Sequence, residues 1–379
     1  MKGLKIPTLL NKEIHNSAKL ILEDGSIFEG IGFGYPTNAS GEIVFNTGMV
    51  GYTETLTDPS YRGQVLCFTY PSIGNYGVPR FDDLDEFDLP KYFESDKIQT
   101  KGVIVNNLSN VSSHWSCTKT FDQWLYDEKI PGITGVDTRE LTKKIRSFGV
   151  MNGRLILTES ELPGDSNFNY DSYNFMPEVS VEKPMYYGKE QNPIVVIIDT
   201  GTKYSIIRNI LRMGFSVVRL PWNSTIKDIL SFSPVGVVLS NGPGDPVVCK
   251  ETILTASEII ENSIPTLGIC LGNQILALAA GAKTHKLKFG HRGQNKSCTD
   301  LTSNNTLITS QNHGYGIDLE SLKDTEFDIW FKNIDDNTVE GIFHKKKPII
   351  AVQFHPEASP GPDDCLYVFD KFKTLIRTS

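Results

Sequence analysis

Hydrophobic positions follow two different patterns along the 379-residue chain. Up to about residue 180, apolar stretches are short and are separated by Gly, Pro, Asn and Asp. β-Branched residues inside these stretches and turn residues around them predict strands. The clearest examples are residues 18–34, 63–71 and 100–108.

Two segments of this first part have helical spacing instead. They are residues 118–130 and 137–149, and the second has Asp137 as a suitable N-cap and Gly149 as a stop. The first part is therefore predicted to be a strand-rich α+β domain, which we place at residues 1–187. Residues 163–193 lack periodicity and are rich in Asn, Pro, Ser and Tyr, which predicts a connector or an ordered irregular segment.

After Pro193, runs of Val and Ile alternate with helical patterns. Continuous apolar strands that alternate with helices predict a mainly parallel sheet flanked by helices, so the fold class is α/β over residues 188–379. The predicted strands are 194–201, 215–221, 235–240, 265–270 and 348–354, and the predicted helices are 203–214, 225–232, 250–263 and 273–282.

Charge and cysteine usage exclude several function classes. A net charge of −8 argues against non-specific nucleic-acid binding, which needs a basic face. No apolar run approaches the roughly 20 residues of a membrane span. The six cysteines include no CxxC pair, so we expect no zinc site, no disulfide framework and a reducing compartment.

A cysteine stands at the sharpest predicted turn of the chain. The segment Gly268-Ile-Cys270-Leu-Gly272 ends a strand and opens a helix, which matches the nucleophile elbow G-x-S-x-G with sulfur in place of oxygen. The start of the following helix favours a thiolate, and the Leu271 N–H faces a developing oxyanion. The structural alternative is a buried, inert cysteine.

A cysteine nucleophile needs a base, and the base needs an orienting group. His355 and Glu357 come after the strand 348–354 and point the same way, because side chains alternate. His355 can take the thiol proton, and Glu357 can fix the imidazole tautomer. The alternative for His355 is a histidine that only completes hydrogen bonds.

Two polar loops complete the candidate site. Residues 239–246, Leu-Ser-Asn-Gly-Pro-Gly-Asp-Pro, come after a strand but lack the Lys-Ser/Thr of a phosphate-binding loop. Their N–H groups suit an oxyanion or a substrate carboxylate, whereas the structural alternative is a tight turn. Residues 311–316, Gln-Asn-His-Gly-Tyr-Gly, read as a loop that recognises an amino-acid head group through backbone atoms.

Three of these segments together resemble the class I glutamine amidotransferases: GICLGNQ (268–274), SNGPGDP (240–246) and QFHPEASPGP (353–362). Residues 42–78 and 135–155 resemble the amino-terminal domain of carbamoyl-phosphate synthetase small subunits, as do GTKYSIIRNILRMG (201–214) and residues 281–295. The resemblance implies a Cys270–His355–Glu357 triad. The glutamine-binding residues it implies are Gly48, Gly242, Gly244, Leu271, Gln274, Asn312, Gly314 and Tyr315.

This sequence departs from the family pattern at three places. Position 48 is Gly where the family often has Ser, position 273 is Asn where the elbow usually has His, and residues 291–295 read HRGQN where HHGGN is more usual. None of these changes removes a member of the implied triad. They bear on the affinity for glutamine and not on the class of reaction.

By resemblance, the chain hydrolyses glutamine and passes ammonia to a large subunit in a heterodimer or a higher oligomer. The implied pathway makes carbamoyl phosphate from bicarbonate for arginine and pyrimidine synthesis. No metal or cofactor is expected on this chain, since ATP and magnesium belong to the large subunit. No presequence pattern is evident, and the composition is rich in Lys, Asn and Ile. We therefore expect a plastid (chloroplast stroma) protein, with bacterial cytoplasm as the alternative.

Three other functions stay open at this point. A stand-alone cysteine hydrolase of γ-glutamyl or peptide bonds would not need the long first half. The amidotransferase chain of anthranilate or GMP synthesis has no domain that corresponds to that first half. A regulatory scaffold that kept the fold would not need an intact triad.

Overall fold

The computed structural model describes residues 17–160 and 169–378. The first half contains nine strands and three α-helices within these ranges. The strands are β1 Ser17–Leu22, β2 Ile27–Gly34, β3 Ala39–Asn46, β4 Gln64–Phe68, β5 Ser72–Ile73, β6 Gly102–Ile104, β7 Asn107–Leu108, β8 Pro131–Thr134 and β9 Met151–Ile156. The helices are α1 Tyr52–Thr57, α2 Phe121–Asp127 and α3 Thr138–Phe148.

Seven strands of the first half close into a barrel, in the order β1-β2-β8-β6-β4-β3-β9. Strands β5 and β7 form a separate parallel pair. The strand-rich α+β prediction for this half is confirmed. Helix α3 begins and ends as predicted, because the Asp137 side chain accepts a hydrogen bond from Glu140 N at 2.9 Å and Gly149 has a φ of 101°.

The second half contains a ten-stranded sheet. After α4 (Met176–Val179), its elements are β10 Met185–Tyr187, β11 Ile194–Asp199, α5 Tyr204–Arg212, β12 Ser216–Pro221, α6 Ile226–Leu230, β13 Gly236–Leu239, α7 Lys250–Glu261, β14 Thr266–Ile269, α8 Leu271–Ala279, β15 Thr284–Asp300, β16 Asn305–Ile317, α9 Leu319–Leu322, β17 Phe327–Asn333, β18 Val339–His344, β19 Ile349–Val352 and α10 Tyr367–Thr378.

The sheet order is β10-β12-β11-β13-β14-β19-β18-β16-β15-β17. The five central strands from β12 to β19 are parallel, which confirms the predicted α/β class. Alternate residues of β11 serve the two faces: Val196 and Ile198 join the cluster that includes Ile275 of α8, whereas Ile197 joins the cluster that includes Phe372 of α10. The carboxyl ends of these strands form the edge where α/β folds place their ligands.

Two predictions about irregular segments need correction. Residues 311–316 are not a loop but part of β16, which pairs with β15 in a long antiparallel hairpin with two register irregularities. The glycines in this stretch suggested a loop, although glycine also serves strands at irregular places. Within the predicted connector, residues 163–168 lie outside the described residues. The rest of the connector is built into the second half, because Tyr170 and Phe175 belong to its core and β10 joins its sheet.

Candidate active site

Cys270 occupies the predicted elbow between β14 and α8. Its φ of 54° and ψ of −101° lie outside the ordinary regions for a residue with a side chain, a strain typical of functional positions. The thiol is buried, 3.6 Å from the Asn312 carbonyl oxygen and 3.7 Å from Gln353 Nε2. Leu271 is the first residue of α8, so its N–H has no acceptor within the helix.

His355 and Glu357 form a buried pair beside this thiol. His355 Nδ1 lies 2.6 Å from Glu357 Oε1. Burial by itself lowers the pKa of His355, but the adjacent Glu357 carboxylate outweighs it and raises that pKa. His355 Nε2 has no partner at normal hydrogen-bond geometry among the described residues, yet the Cys270 thiol lies close enough to raise the pKa of the ring. The three side chains are therefore arranged as nucleophile, base and orienting acid.

Lys203 joins this group, although no motif in the sequence predicted this role. Its Nζ lies 3.0 Å from Glu357 Oε1 and donates to the Ala358 carbonyl oxygen at 2.6 Å. Burial alone raises the pKa of Glu357, but the Lys203 charge outweighs it and lowers that pKa. The ion pair keeps Glu357 ionised behind the imidazole. The sequence signal for this role was the position of the lysine, shortly after β11 and therefore at the carboxyl edge of the sheet.

A residue from the first half of the chain caps the helix that follows Lys203. Lys203 precedes α5, and Ser205 in the first turn of that helix donates its backbone N–H to Glu94 Oε2 at 3.0 Å. The Ser205 hydroxyl donates to the same oxygen at 2.5 Å. Glu94 is buried in the first half and lies 111 residues before its partner in the sequence. The two halves therefore share one polar network behind the triad.

A cavity beside Cys270 gathers most of the residues predicted to bind glutamine. Gln274 Nε2 donates to the Tyr315 carbonyl oxygen at 2.8 Å, and Asn312 Nδ2 donates to Asp58 of the first half at 2.9 Å. The barrel also contributes Glu42 and Gln64 to the wall. The predicted residues that line the cavity are Cys270, Gly242, Gly244, Gln274, Asn312, Gly314 and Tyr315.

Two further predicted residues lie outside the cavity wall. The Leu271 side chain packs over Gly242, with Cδ2 2.7 Å from the position that a Cβ on Gly242 would take. Gly48 is buried at the seam between the halves, and its N–H donates to Asn46 Oδ1 at 2.5 Å. A Cβ on Gly48 would come within 2.6 Å of Gln294 Nε2. Two of the three departures from the family pattern, at 48 and within 291–295, are therefore neighbours in space.

One group among the described residues has the side chains of a metal site: His291, His313 and Glu340, all buried. Both ring nitrogens of His291 face carboxylates, however, with Nδ1 3.2 Å from Glu340 Oε1 and Nε2 2.7 Å from Asp336 Oδ2. Burial alone lowers the pKa of His291, but these carboxylates outweigh it and raise that pKa to about 9. The arrangement suits an imidazolium, which has no lone pair for a metal ion.

This imidazolium predicts a pH-dependent contribution to stability. Because the pKa of His291 is higher in the folded chain (about 9, against 6.5 for the free residue), its contribution is full below pH 6.5 and is lost as the pH rises through 9. We expect His291→Asn to lower the free energy of unfolding by about 2–3 kcal/mol more at low pH than at high pH. Urea unfolding of both proteins on either side of this window measures the difference. An equal loss at both ends would show that the ring is not charged.

Comparisons with known proteins agree with this geometry. The family model for the CPSase domain of the carbamoyl-phosphate synthase small chain matches residues 20–155, and the model for class-I glutamine amidotransferases matches residues 196–375. The carbamoyl phosphate synthase small chain of Pyrococcus furiosus is 47% identical to this chain. The match covers 96% of this chain and 98% of the Pyrococcus furiosus chain. The chain belongs to the carbamoyl-phosphate synthase small-chain family.

Other small chains match over similar lengths. The small chain of Methanopyrus kandleri is 45% identical over 95% of this chain and 99% of its own. The arginine-specific small chain of Saccharomyces cerevisiae is 43% identical over 94% of this chain and 87% of its own. The predicted family and the predicted class of enzyme, a glutamine-hydrolysing carbamoyl-phosphate synthase, are confirmed.

The comparisons do not support the expected location in a plastid. These relatives of the small chain come from archaea and a yeast, so they give the plastid expectation no support. None of the helices within residues 17–160 and 169–378 has both the length and the apolar composition of a membrane span.

Proposed function

We propose that this chain hydrolyses glutamine through Cys270, His355 and Glu357 and delivers the ammonia to a large, ATP-using subunit. The observation that carries the proposal is the position of the Cys270 thiol. It lies on a strained elbow between a buried His–Glu pair and a polar cavity. That cavity is lined by both halves of the chain, which favours this function over a stand-alone hydrolase.

In the first step, His355 accepts the thiol proton and the Cys270 sulfur attacks the side-chain amide carbon of glutamine. The resulting oxyanion accepts hydrogen bonds from backbone N–H groups. We assign this role to Leu271 and Gly242, because the N–H of Gly244 already donates to the Tyr170 hydroxyl at 3.2 Å. One such donor contributes about 3–4 kcal/mol to lowering the barrier.

In the second step, His355 returns the proton to the departing nitrogen, so ammonia leaves and a γ-glutamyl thioester remains. His355 then takes a proton from water, the hydroxide attacks the thioester carbon, and glutamate leaves as the thiol is restored. Glu357, held ionised by Lys203, stabilises the imidazolium that forms in each half of the cycle. Gln274, Gly314 and Tyr315 hold the amino-acid end of the substrate.

Ammonia must reach its acceptor unprotonated, because ammonium has no lone pair with which to attack. We therefore propose a closed path to the large subunit, where ATP and magnesium convert bicarbonate to carboxyphosphate. Ammonia displaces inorganic phosphate from carboxyphosphate to give carbamate, and a second ATP phosphorylates the carbamate to carbamoyl phosphate for arginine and pyrimidine synthesis. The arginine-specific name of the yeast relative supports the first of these destinations.

Iodoacetamide labelling tests whether the Cys270 thiol is reactive. Burial raises the pKa of Cys67, Cys249, Cys298 and Cys365, so these thiols should label slowly. We expect mapping by mass spectrometry to find fast labelling of Cys270 that glutamine slows. Cys117 is half-buried, and a Cys117→Ser variant removes it as a confounding site. An inert Cys270 would favour the regulatory scaffold.

A further inference from the structure

A buried cation lies in the wall of the active-site cavity. Arg292 of β15 is 4% exposed and lines the cavity that contains Cys270. Its Nη1 donates to the Phe289 carbonyl oxygen at 2.7 Å, whereas its Nε is buried without a hydrogen-bond partner among the described residues. Within residues 17–160 and 169–378, no carboxylate forms an ion pair with this guanidinium, in contrast to the buried Arg208, which pairs with Asp85.

The guanidinium lies next to residues already placed around the substrate. Its Nη2 is 3.2 Å from the position that a Cβ on Gly314 would take, and Arg292 pairs with Asn312 across the β15–β16 hairpin. An arginine stays charged at any pH that a protein tolerates. Removing such a charge from water without a partner is unfavourable. An anion that binds beside Arg292 during the reaction would offset this cost.

A buried hydrogen-bond acceptor lies in the same cavity, on the barrel side. Gln64 is 2% exposed, and its Oε1 has no hydrogen-bond partner in the part of the chain that the structure describes. Its Nε2 donates to Glu42 Oε2 at 2.8 Å, which fixes the orientation of the amide and leaves Oε1 as the acceptor. Glu42 adds a negative charge beside it, partly compensated by Lys286 at 2.7 Å.

We propose that Arg292 binds the α-carboxylate of glutamine and that Gln64 Oε1 accepts a hydrogen bond from its α-ammonium group. The head group of a free α-amino acid carries both charges, so one ligand supplies a partner to each of these two groups. This assignment rests on the proposed function and deepens it: Arg292 selects free glutamine over γ-carboxamides that lack an α-carboxylate. It also gives the HRGQN departure from the family pattern a role.

The test compares two substrates in the complex with the large subunit. Glutamine and 4-aminobutanamide present the same carboxamide and amine, but only glutamine has the carboxylate. We expect Arg292→Met to lower kcat/KM for glutamine about 100-fold, which is about 2.8 kcal/mol at 1.4 kcal/mol per tenfold, mainly through KM. For 4-aminobutanamide the same variant should change kcat/KM by less than about threefold. Arg292→Lys keeps the charge without the planar fork, so its kcat/KM for glutamine should lie between those of the unaltered chain and Arg292→Met.

Binding to a Cys270→Ser background adds a readout without turnover. There, Arg292→Met should weaken glutamine binding by the same factor in calorimetry. Equal losses for both substrates would show a structural role and overturn the assignment, and so would an unchanged KM for glutamine. If the unaltered complex neither hydrolyses nor binds glutamine, the proposed function itself fails, which is a different result from an active complex that is indifferent to Arg292.

Discussion

Replacing Cys270 with serine should abolish glutamine hydrolysis while ammonia-dependent synthesis of carbamoyl phosphate by the complex continues. A serine hydroxyl loses its proton far less readily than a thiol, and the His355–Glu357 pair beside it is arranged for a thiolate. Removing one member of a nucleophile–base–acid unit costs about 10⁴-fold or more in rate. Glutamate release and carbamoyl phosphate formation from glutamine should both fall by that factor.

The ammonia-driven reaction is the internal control for this variant, because it needs the large subunit but not the thiol. Cys117→Ser is the matched substitution at a half-buried thiol outside the cavity, and it should leave glutamine use unchanged. Loss of the ammonia-driven reaction in Cys270→Ser would contradict the division of labour between the chains. Retained hydrolysis would contradict the choice of nucleophile.

Gly272→Ala should destabilise the chain severely and remove glutamine hydrolysis with it. A Cβ on Gly272 would lie 2.1 Å from the Leu239 carbonyl oxygen and 2.7 Å from its carbonyl carbon. These are backbone atoms of β13 and cannot rotate away, so α8 would have to move off the sheet together with the elbow. We expect a loss of about 3 kcal/mol or more in the free energy of unfolding, measured by urea unfolding.

Gly281→Ala is the matched control at the other end of α8. Gly281 has a φ of 92° and nothing within 4 Å of its Cβ position. Only backbone strain is expected there, about 1–2 kcal/mol, with glutamine hydrolysis retained. If Gly272→Ala behaves like Gly281→Ala, the close contact between helix and strand does not set the position of Cys270.

The elbow and the His355–Glu357 pair could be predicted because local sequence determines them, and the parallel sheet could be predicted because apolar strands alternate with helices along the chain. A strand, a glycine-flanked turn and a helix occupy consecutive residues around Cys270, and the His–Glu spacing lies within one segment. The network of Lys203, Ser205 and Glu94 could not be predicted this way, because its members are far apart in sequence and meet only when the first half packs against α5.

The same limit explains the errors in the irregular segments. Residues 311–316 combine glycine with polar side chains, which locally resembles a loop, but pairing with β15 makes them a strand. The pairing also places Asn312 next to Arg292 and so builds one wall of the cavity. The opposing groups Glu42 and Gln64 come from the barrel, and no pattern in either half indicates that they share a site.

The measurement that tests the central claim most directly is carbamoyl phosphate formation from glutamine, bicarbonate and ATP. It is made with a carbamoyl-phosphate synthetase large subunit either added or withheld. We predict product only when both chains are present, together with faster glutamine hydrolysis by this chain in the presence of its partner. Rapid hydrolysis that ignores the large subunit, without product, would contradict the account and leave a stand-alone glutaminase.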